Sequence, residues 1–237
     1  MRLIQPKTGY RVSMDTVMLA ASVPAVAGDK VLEGGVGTGG AALCLAKRVQ
    51  GVLVEGIEQQ DDMLLYANRN ILFNGLANTV SVQKGDITDL SEGEGQYDHV
   101  MVNPPYLPDG TAIRPPVETK GLAHMDTTAT LKDWMRFCVY KARNKGTITV
   151  IYRADRVDEV IAHLHRRVGE LKIMPFWPRA GVPAKRVIIQ GRKGMRGVAS
   201  LLPGMALHSD TERYTPEAKQ ILWDGDALDL KAFACKR

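Results

Sequence analysis

Apolar and polar positions along this chain follow two different periods. From Lys30 onward, short β-branched runs are separated by longer stretches in which apolar residues recur every three or four positions, as in a parallel sheet covered by helices on both faces. The runs predict strands at Lys30–Glu33, Val52–Glu58, Val80–Lys84, His99–Asn103, Gly146–Tyr152, Glu170–Pro175 and Arg186–Gly191. The intervals predict helices over Ala41–Arg48, Asp61–Asn74, Leu131–Arg143 and Val157–Val168. In the second of these, Met63, Leu64, Ala67, Ile71 and Leu72 recur at helical spacing, and Gly75 is placed to cap its end. The expected fold class is α/β, with a seven-stranded, mostly parallel sheet.

Two stretches break the alternation. Pro104 to Thr130 carries several prolines, an Asp109-Gly110 turn and no apolar period, which predicts a long loop, and loops of that length in compact domains tend to be functional or disordered. After Gly197 the pattern weakens until Thr215-Pro216-Glu217, where an N-cap threonine followed by proline opens a helix through Leu222. No repeat or linker divides the chain. It is expected to be one domain, with residues 1–29 as a leading segment, 30–197 as the core and 198–237 as an extension.

Composition narrows the possibilities. With 237 residues, 45% of them hydrophobic, the chain can bury a full core. The longest apolar runs, such as Val17 to Ala27, are interrupted by Ser22 and Pro24 and fall short of the roughly 20 residues of a bilayer span. The opening residues do not read as a secretory signal, so a cytoplasmic protein is expected. Cys44, Cys138 and Cys235 are odd in number and far apart, which predicts free thiols and no zinc site. The histidines lack ligand partners in sequence, and no metal is expected; His124 alone lies near the expected acceptor site.

The net charge of +5 is mild, yet its distribution is uneven. Arg179, Lys185, Arg186, Arg192, Lys193 and Arg196 fall in one stretch without an acidic residue, a pattern that suits a polyanionic partner.

Candidate chemistry lies at the strand ends. Gly34-Gly35-Val36-Gly37-Thr38-Gly39-Gly40 follows the first strand and leads into a helix, where glycines permit a sharp turn and close approach of a ligand to the backbone. Glu58, followed by Gln59, ends the second strand, where a Rossmann site places a carboxylate against ribose hydroxyls. Asp86, followed by Ile87, ends the third and is placed for an adenine amino group. Together these residues outline an adenosine pocket. NAD is the competing occupant, but Gly35-x-Gly37-x-Gly39 is not the Gly-x-Gly-x-x-Gly of dinucleotide sites.

The fourth strand ends in Asn103-Pro104-Pro105-Tyr106. This motif resembles the signature of class I S-adenosylmethionine-dependent methyltransferases that modify the exocyclic amine of adenine or the side-chain amide of glutamine. The resemblance implies a Rossmann-like fold, S-adenosylmethionine as cofactor, and Asn103, Pro104, Pro105 and Tyr106 as the catalytic set, with Asn103 also in contact with the cofactor. The residue types suit that chemistry. An adenine amino group is a weak nucleophile, so the Asn103 side-chain oxygen and the Pro104 carbonyl would each accept one of its protons while nitrogen rehybridises. Pro105 removes a competing donor, and Tyr106 offers a face on which the base can stack.

The chain ends narrow the likeness. Gln5-Pro6-Lys7-x-Gly9-Tyr10-Arg11, with Asp15-Thr16-Val17, looks like the opening of bacterial tRNA adenine-N6 methyltransferases acting on valine tRNA. Pro178-Arg179-x-Gly181-x-Pro183-Ala184-Lys185-Arg186 and Tyr214-Thr215-Pro216-Glu217 are also similar to that group. In it the leading segment folds over the cofactor, which implies that Tyr10, Arg11 and Asp15 line its methionine end. Glu33-Gly34 stands where many relatives have Asp-Leu, and Glu33 would face the cofactor's amino group.

Among acceptors, adenine in RNA, above all tRNA, is the expected substrate. About thirty residues precede the glycine loop, fewer than in glutamine methyltransferases that act on release factors. The chain also lacks the recognition domain of DNA adenine methyltransferases. Exposed loop bases of a structured RNA ask for less protein, and Arg179, Lys185, Arg186, Arg192 and Lys193 are expected to hold its phosphates. A glutamine acceptor, or a cofactor-binding module without catalysis, is the alternative.

Overall fold

The computed structural model describes residues 1–7, 11–106 and 129–234. Strands β1 (Lys30–Gly34), β2 (Leu53–Glu58), β3 (Val80–Lys84), β4 (Tyr97–Val102), β5 (Ala142–Arg153), β6 (Val168–Trp177), β7 (Arg186–Lys193), β8 (Ser200–Leu201) and β9 (Met205–Ala206) form one sheet. Its order is β3-β2-β1-β4-β5-β7-β6-β8, with β9 also paired to β6. Strands β1 to β5 run parallel, and β7 is antiparallel to both β5 and β6.

The helices are α1 (Met14–Ser22), α2 (Gly40–Arg48), α3 (Asp61–Phe73), α4 (Leu131–Lys141), α5 (Val157–Leu164), α6 (Pro216–Lys219) and α7 (Leu230–Ala234). They cover both faces of the sheet. One core gathers α1, α2, Ile71 of α3 and the apolar residues from Leu202 to Leu230; the other gathers α4 and α5 against Leu32, Val100, Val102, Ile148 and Val150.

Each of the seven expected strands is present, and the sheet gains β8 and β9 in the stretch where the pattern weakens. Two-residue strands are too short to show a period. Helix α1 is a larger departure, because an apolar run read only as too short for a membrane is in fact a helix. Ser13 and Thr16 form a reciprocal capping box at its start, and Asp15, Thr16, Met18, Leu19, Ala20, Ala21 and Ser22 are all buried. A helix enclosed on nearly every side has no polar face to betray its period.

Helices α4 and α5 end earlier than their apolar periods suggest, at Lys141 and Leu164, because β5 begins at Ala142 and β6 at Val168. Gly75 does end α3 as expected, at φ 67° with its N–H on the Leu72 carbonyl. Thr215 caps α6, and that helix continues as a π turn over Gln220–Asp224 until Gly225, at φ 80°, stops it. The Pro104–Thr130 loop lies largely outside the described residues, as do Tyr10, His124 and Cys235.

Candidate active site

The carboxyl ends of β1, β2 and β4 lie side by side, since Gly34 is in register with Ile57 on one side and Val102 on the other. In open α/β sheets this edge, where crossovers leave to opposite faces, is where ligands bind.

The glycine loop is shaped by close approaches. Gly35, Gly37 and Gly39 have φ of 64°, 54° and 87°, in the left-handed region that favours glycine. A Cβ on Gly34 would stand 2.7 Å from Phe137 Cε1, and one on Gly35 would stand 2.6 Å from Trp134 Cη2. The α4 aromatics therefore floor the turn. From above, Val12 and Thr16 press on Gly40, where a Cβ would be 2.7 Å and 2.8 Å from their methyl groups.

The leading segment is tied down by Asn70, which is wholly buried on α3. Its side chain receives the Ile4 N–H at 2.7 Å and donates to the Ile4 carbonyl at 2.8 Å and the Thr38 carbonyl at 2.9 Å. A strand-like pairing is thus made with one amide side chain. An asparagine inside an apolar helical stripe was the sequence signal for it.

Two carboxylates serve the loop itself. Glu58 is buried and accepts the N–H groups of Gly37 at 2.8 Å, Gln59 at 2.9 Å and Gln60 at 3.0 Å, leaving little of its acceptor capacity unused. Glu33 reaches across to α2, whose N-cap is Gly39 and so has no side chain to offer, and accepts the Ala42 N–H at 2.8 Å. Burial pushes the Glu33 carboxyl up to about 8, against the Ala42 hydrogen bond and with the help of Glu58. A carboxyl in that state gains from a cation beside it.

The other expected contacts are more open. Asp86 accepts from the Thr88 N–H and hydroxyl, both at 2.8 Å, next to buried Ile87. Gln59 and Arg11 are exposed. Thr38 Oγ1 and Trp134 Nε1 are buried without a partner among the described residues. An uncommitted hydroxyl and indole N–H beside a glycine cradle, with a buried carboxyl that favours a cation, fit a polar cofactor carrying an amino group.

Beyond β4, Asn103 and Tyr106 join residues from distant parts of the chain. The Tyr106 hydroxyl donates to Asp15 Oδ2 at 2.9 Å and lies 3.4 Å from Asn103 Oδ1. The shorter contact holds the proton, so Asn103 Oδ1 keeps its acceptor capacity. Arg186 Nε donates to the same Asp15 oxygen at 2.7 Å, and its guanidinium stacks 4.7 Å from the Tyr106 ring centroid. Tyr152, buried, meets Tyr106 edge-on at 5.4 Å. Burial works against the Arg186 charge, but the Asp15 carboxylate and Tyr106 raise its pKa overall.

The basic stretch does not form one patch. Strand β7 sets Arg186 opposite Arg153 and Arg192 opposite Thr147, so the two arginines lie at opposite edges of the sheet, roughly 20 Å apart at the rise of a strand. Arg192 contacts Glu170 and the Lys145 carbonyl, and Lys193 donates to the Ala142 carbonyl. Arg179, Lys185 and Arg186 are at the Asn103 edge; Arg192 and Lys193 are not. Strand direction, invisible in a list of charges, makes the division.

The two described thiols are not poised for chemistry: burial pushes Cys44 up to about 11 and raises Cys138 as well. His99 is buried in β4 with Nε2 3.0 Å from Asp29, and desolvation lowers its pKa. No cluster with metal-ligand composition occurs among the described residues, and no helix there is long and apolar enough to cross a membrane.

Comparisons with known proteins give the class of the chain. A family described as "Methyltransferase domain" matches residues 31–112, from β1 through the glycine loop to beyond Tyr106. The chain's fold is that of a predicted O-methyltransferase from Agrobacterium tumefaciens, at TM-score 0.75, 23% identity and coverage of 91% of this chain and 98% of that one. This protein is an S-adenosylmethionine-dependent methyltransferase with a Rossmann-like fold.

Its sequence is similar to proteins named tRNA1(Val) (adenine(37)-N6)-methyltransferase. The one from Parabacteroides distasonis is 28% identical over 78% of this chain and 77% of its own length. The one from Shewanella baltica is 25% identical over 91% and 92%. A tRNA (m1A58) methyltransferase from Aquifex aeolicus shares the fold at TM-score 0.58 and 16% identity, over 81% of this chain and 73% of that one.

Proposed function

We propose that this enzyme transfers a methyl group from S-adenosylmethionine to the N6 amine of an adenine in RNA, with tRNA as the substrate. The observation that carries the reading is the intact Asn103-Pro104-Pro105-Tyr106 motif at the end of β4, with Asn103 Oδ1 left able to accept and Tyr106 fixed by Asp15. Similarity over most of the chain to relatives named for adenine-N6 methylation of a tRNA supports the choice of acceptor.

S-adenosylmethionine supplies an electrophilic methyl on a sulfonium. Gly35, Gly37 and Gly39 form its cradle, Glu33 pairs with its amino group, and Glu58 with Gln59 and Asp86 with Ile87 border its adenosine. Tyr10 and Arg11 of the leading segment belong to the methionine side, and Asp15 of the same segment links that side to Tyr106 and Arg186 at the acceptor motif. Asn103 Oδ1 and the Pro104 carbonyl accept hydrogen bonds from the two N6–H groups, which draws the lone pair out of the ring and aims it. Departure of the methyl from the sulfonium leaves a neutral thioether, and the alkylated nitrogen sheds one proton to solvent. Tyr106 presents a ring to the base, a stack worth about 1–3 kcal/mol. Arg186 already covers one face of that ring, so the base takes the other face or displaces the guanidinium.

Labelled S-adenosylmethionine offered separately with total tRNA, ribosomal RNA and cell protein tests the reading. Label is expected in tRNA. Label confined to protein would replace adenine with glutamine as the acceptor.

A further inference from the structure

Beside the acceptor motif lies a pocket of about 430 Å³, bordered by Tyr106, the Arg153/Asp155 pair and the turn Pro183-Ala184-Lys185 that leads into Arg186. That volume falls within the range of about 300–1,000 Å³ found for small-ligand sites. Tyr106 is both the last residue of the motif and a wall of this pocket, so whatever enters it sits directly next to the group being methylated.

The pocket is built rather than incidental. Arg153 is in register with Arg186 across β5 and β7, the Ala154 N–H donates to the Lys185 carbonyl at 3.2 Å, and the Lys185 N–H donates to the Phe176 carbonyl at 3.1 Å. Both walls are therefore fixed through their backbones.

Its charge is specific. Asp155 receives Arg153 Nε at 2.9 Å and Nη2 at 2.6 Å, and Asp15 balances Arg186. The Lys185 ammonium is exposed and, among the described residues, makes no hydrogen bond or close ion pair, although its charge is felt by Asp155. Among the described residues, Lys185 adds a cation to the paired Arg153 and Arg186 along this wall, which suits the phosphate of a nucleotide. Tyr106, Pro183 and Ala184 add the apolar surface that a sugar and base require.

We propose that this pocket receives the nucleotide adjoining the methylated adenosine, its phosphate held by Lys185 beside the fixed Arg153 guanidinium and its sugar and base against Pro183 and Ala184. The proposal rests on adenine in RNA being the acceptor. It assigns Arg153, Asp155, Pro183 and Ala184 to the substrate, and makes recognition depend on the neighbour of the target as well as on the target.

The test uses a stem-loop RNA carrying the acceptor adenosine, unmodified or with one neutral methylphosphonate on either side of that adenosine. With the full-length enzyme, one of the two substitutions should raise KM about tenfold, the loss of one charge-assisted contact. Lys185→Ala should raise KM for the unmodified RNA by a similar factor, with kcat and S-adenosylmethionine affinity retained. The same methylphosphonate should then cost Lys185→Ala nothing further, and its log–log salt dependence of binding should be shallower by about 0.7. Methylation of the RNA with an unchanged KM for Lys185→Ala, or with fully additive losses, overturns the pocket alone. No methylation of unmodified RNA overturns the adenine reading and the pocket with it.

Discussion

The cofactor edge and the acceptor edge of this site are built in opposite ways. At the cofactor edge the backbone is the structure: three glycines with positive φ, α4 aromatics packed where a Cβ would stand, and Glu58 spent on the loop's own N–H groups. At the acceptor edge side chains are the structure, with Asp15, Tyr106 and Arg186 joined by a shared carboxylate oxygen and a stacked guanidinium. The first arrangement is rigid and costly to alter. The second can exchange partners, as the proposed entry of a base would require.

The contrast predicts that substitutions on the two edges fail differently. Asn103→Ala should lower kcat the most, by roughly a hundred- to a thousand-fold, the scale of losing one positioned acceptor at a reacting group. Its cofactor affinity and thermal stability should match the parent; calorimetric titration and a melting curve check both. Gly35→Ala should do the reverse. A Cβ 2.6 Å from Trp134 at φ 64° costs both packing and backbone strain, and a fall in Tm on the order of 10 °C is expected, with weaker cofactor binding.

Glu33 sharpens the cofactor edge through pH. Its carboxyl, raised from 4.5 to about 8 chiefly by burial, is neutral in the fold at low pH; its penalty grows as pH rises through that interval, because the unfolded chain ionises first. Glu33→Gln should remove that slope and leave the unliganded protein more stable than the parent at pH 8, on the order of 1–4 kcal/mol, while binding S-adenosylmethionine more weakly. Denaturant titrations at pH 5 and pH 8 read the slope, and a variant less stable at pH 8 would remove the buried carboxyl from the account. The smallest effect is expected from Arg192→Ala. Its guanidinium lies about 20 Å from Arg186 along β7, beyond a Debye length, so KM for RNA should change by less than about twofold.

How much of this was legible in sequence follows the same division. The proposed cofactor edge comes from short contiguous segments, and the spacing of Gly35, Gly37, Gly39, Glu58 and Asp86 is what suggests it in sequence. The sheet was legible for the same reason, whereas α1 was hidden by being buried on nearly every side. The acceptor edge was legible only as the motif. That Arg186 would meet Asp15, 171 residues earlier, depends on the antiparallel course of β7, as does the separation of Arg192 and Lys193 from the other cations. Trp134, which floors the loop, lies in a helix whose sequence reports only burial, and Asn70, which clamps the leading segment, is marked in sequence only as an amide within an apolar stripe.

The most direct measurement is nucleoside analysis by mass spectrometry of tRNA treated with S-adenosylmethionine and either the parent enzyme or Asn103→Ala. At matched short times N6-methyladenosine is expected from the parent, and roughly a hundred- to a thousand-fold less of it from the variant. N1-methyladenosine or a ribose methylation in its place, or N6-methyladenosine that forms in Asn103→Ala at close to the parent's rate, would contradict the reading.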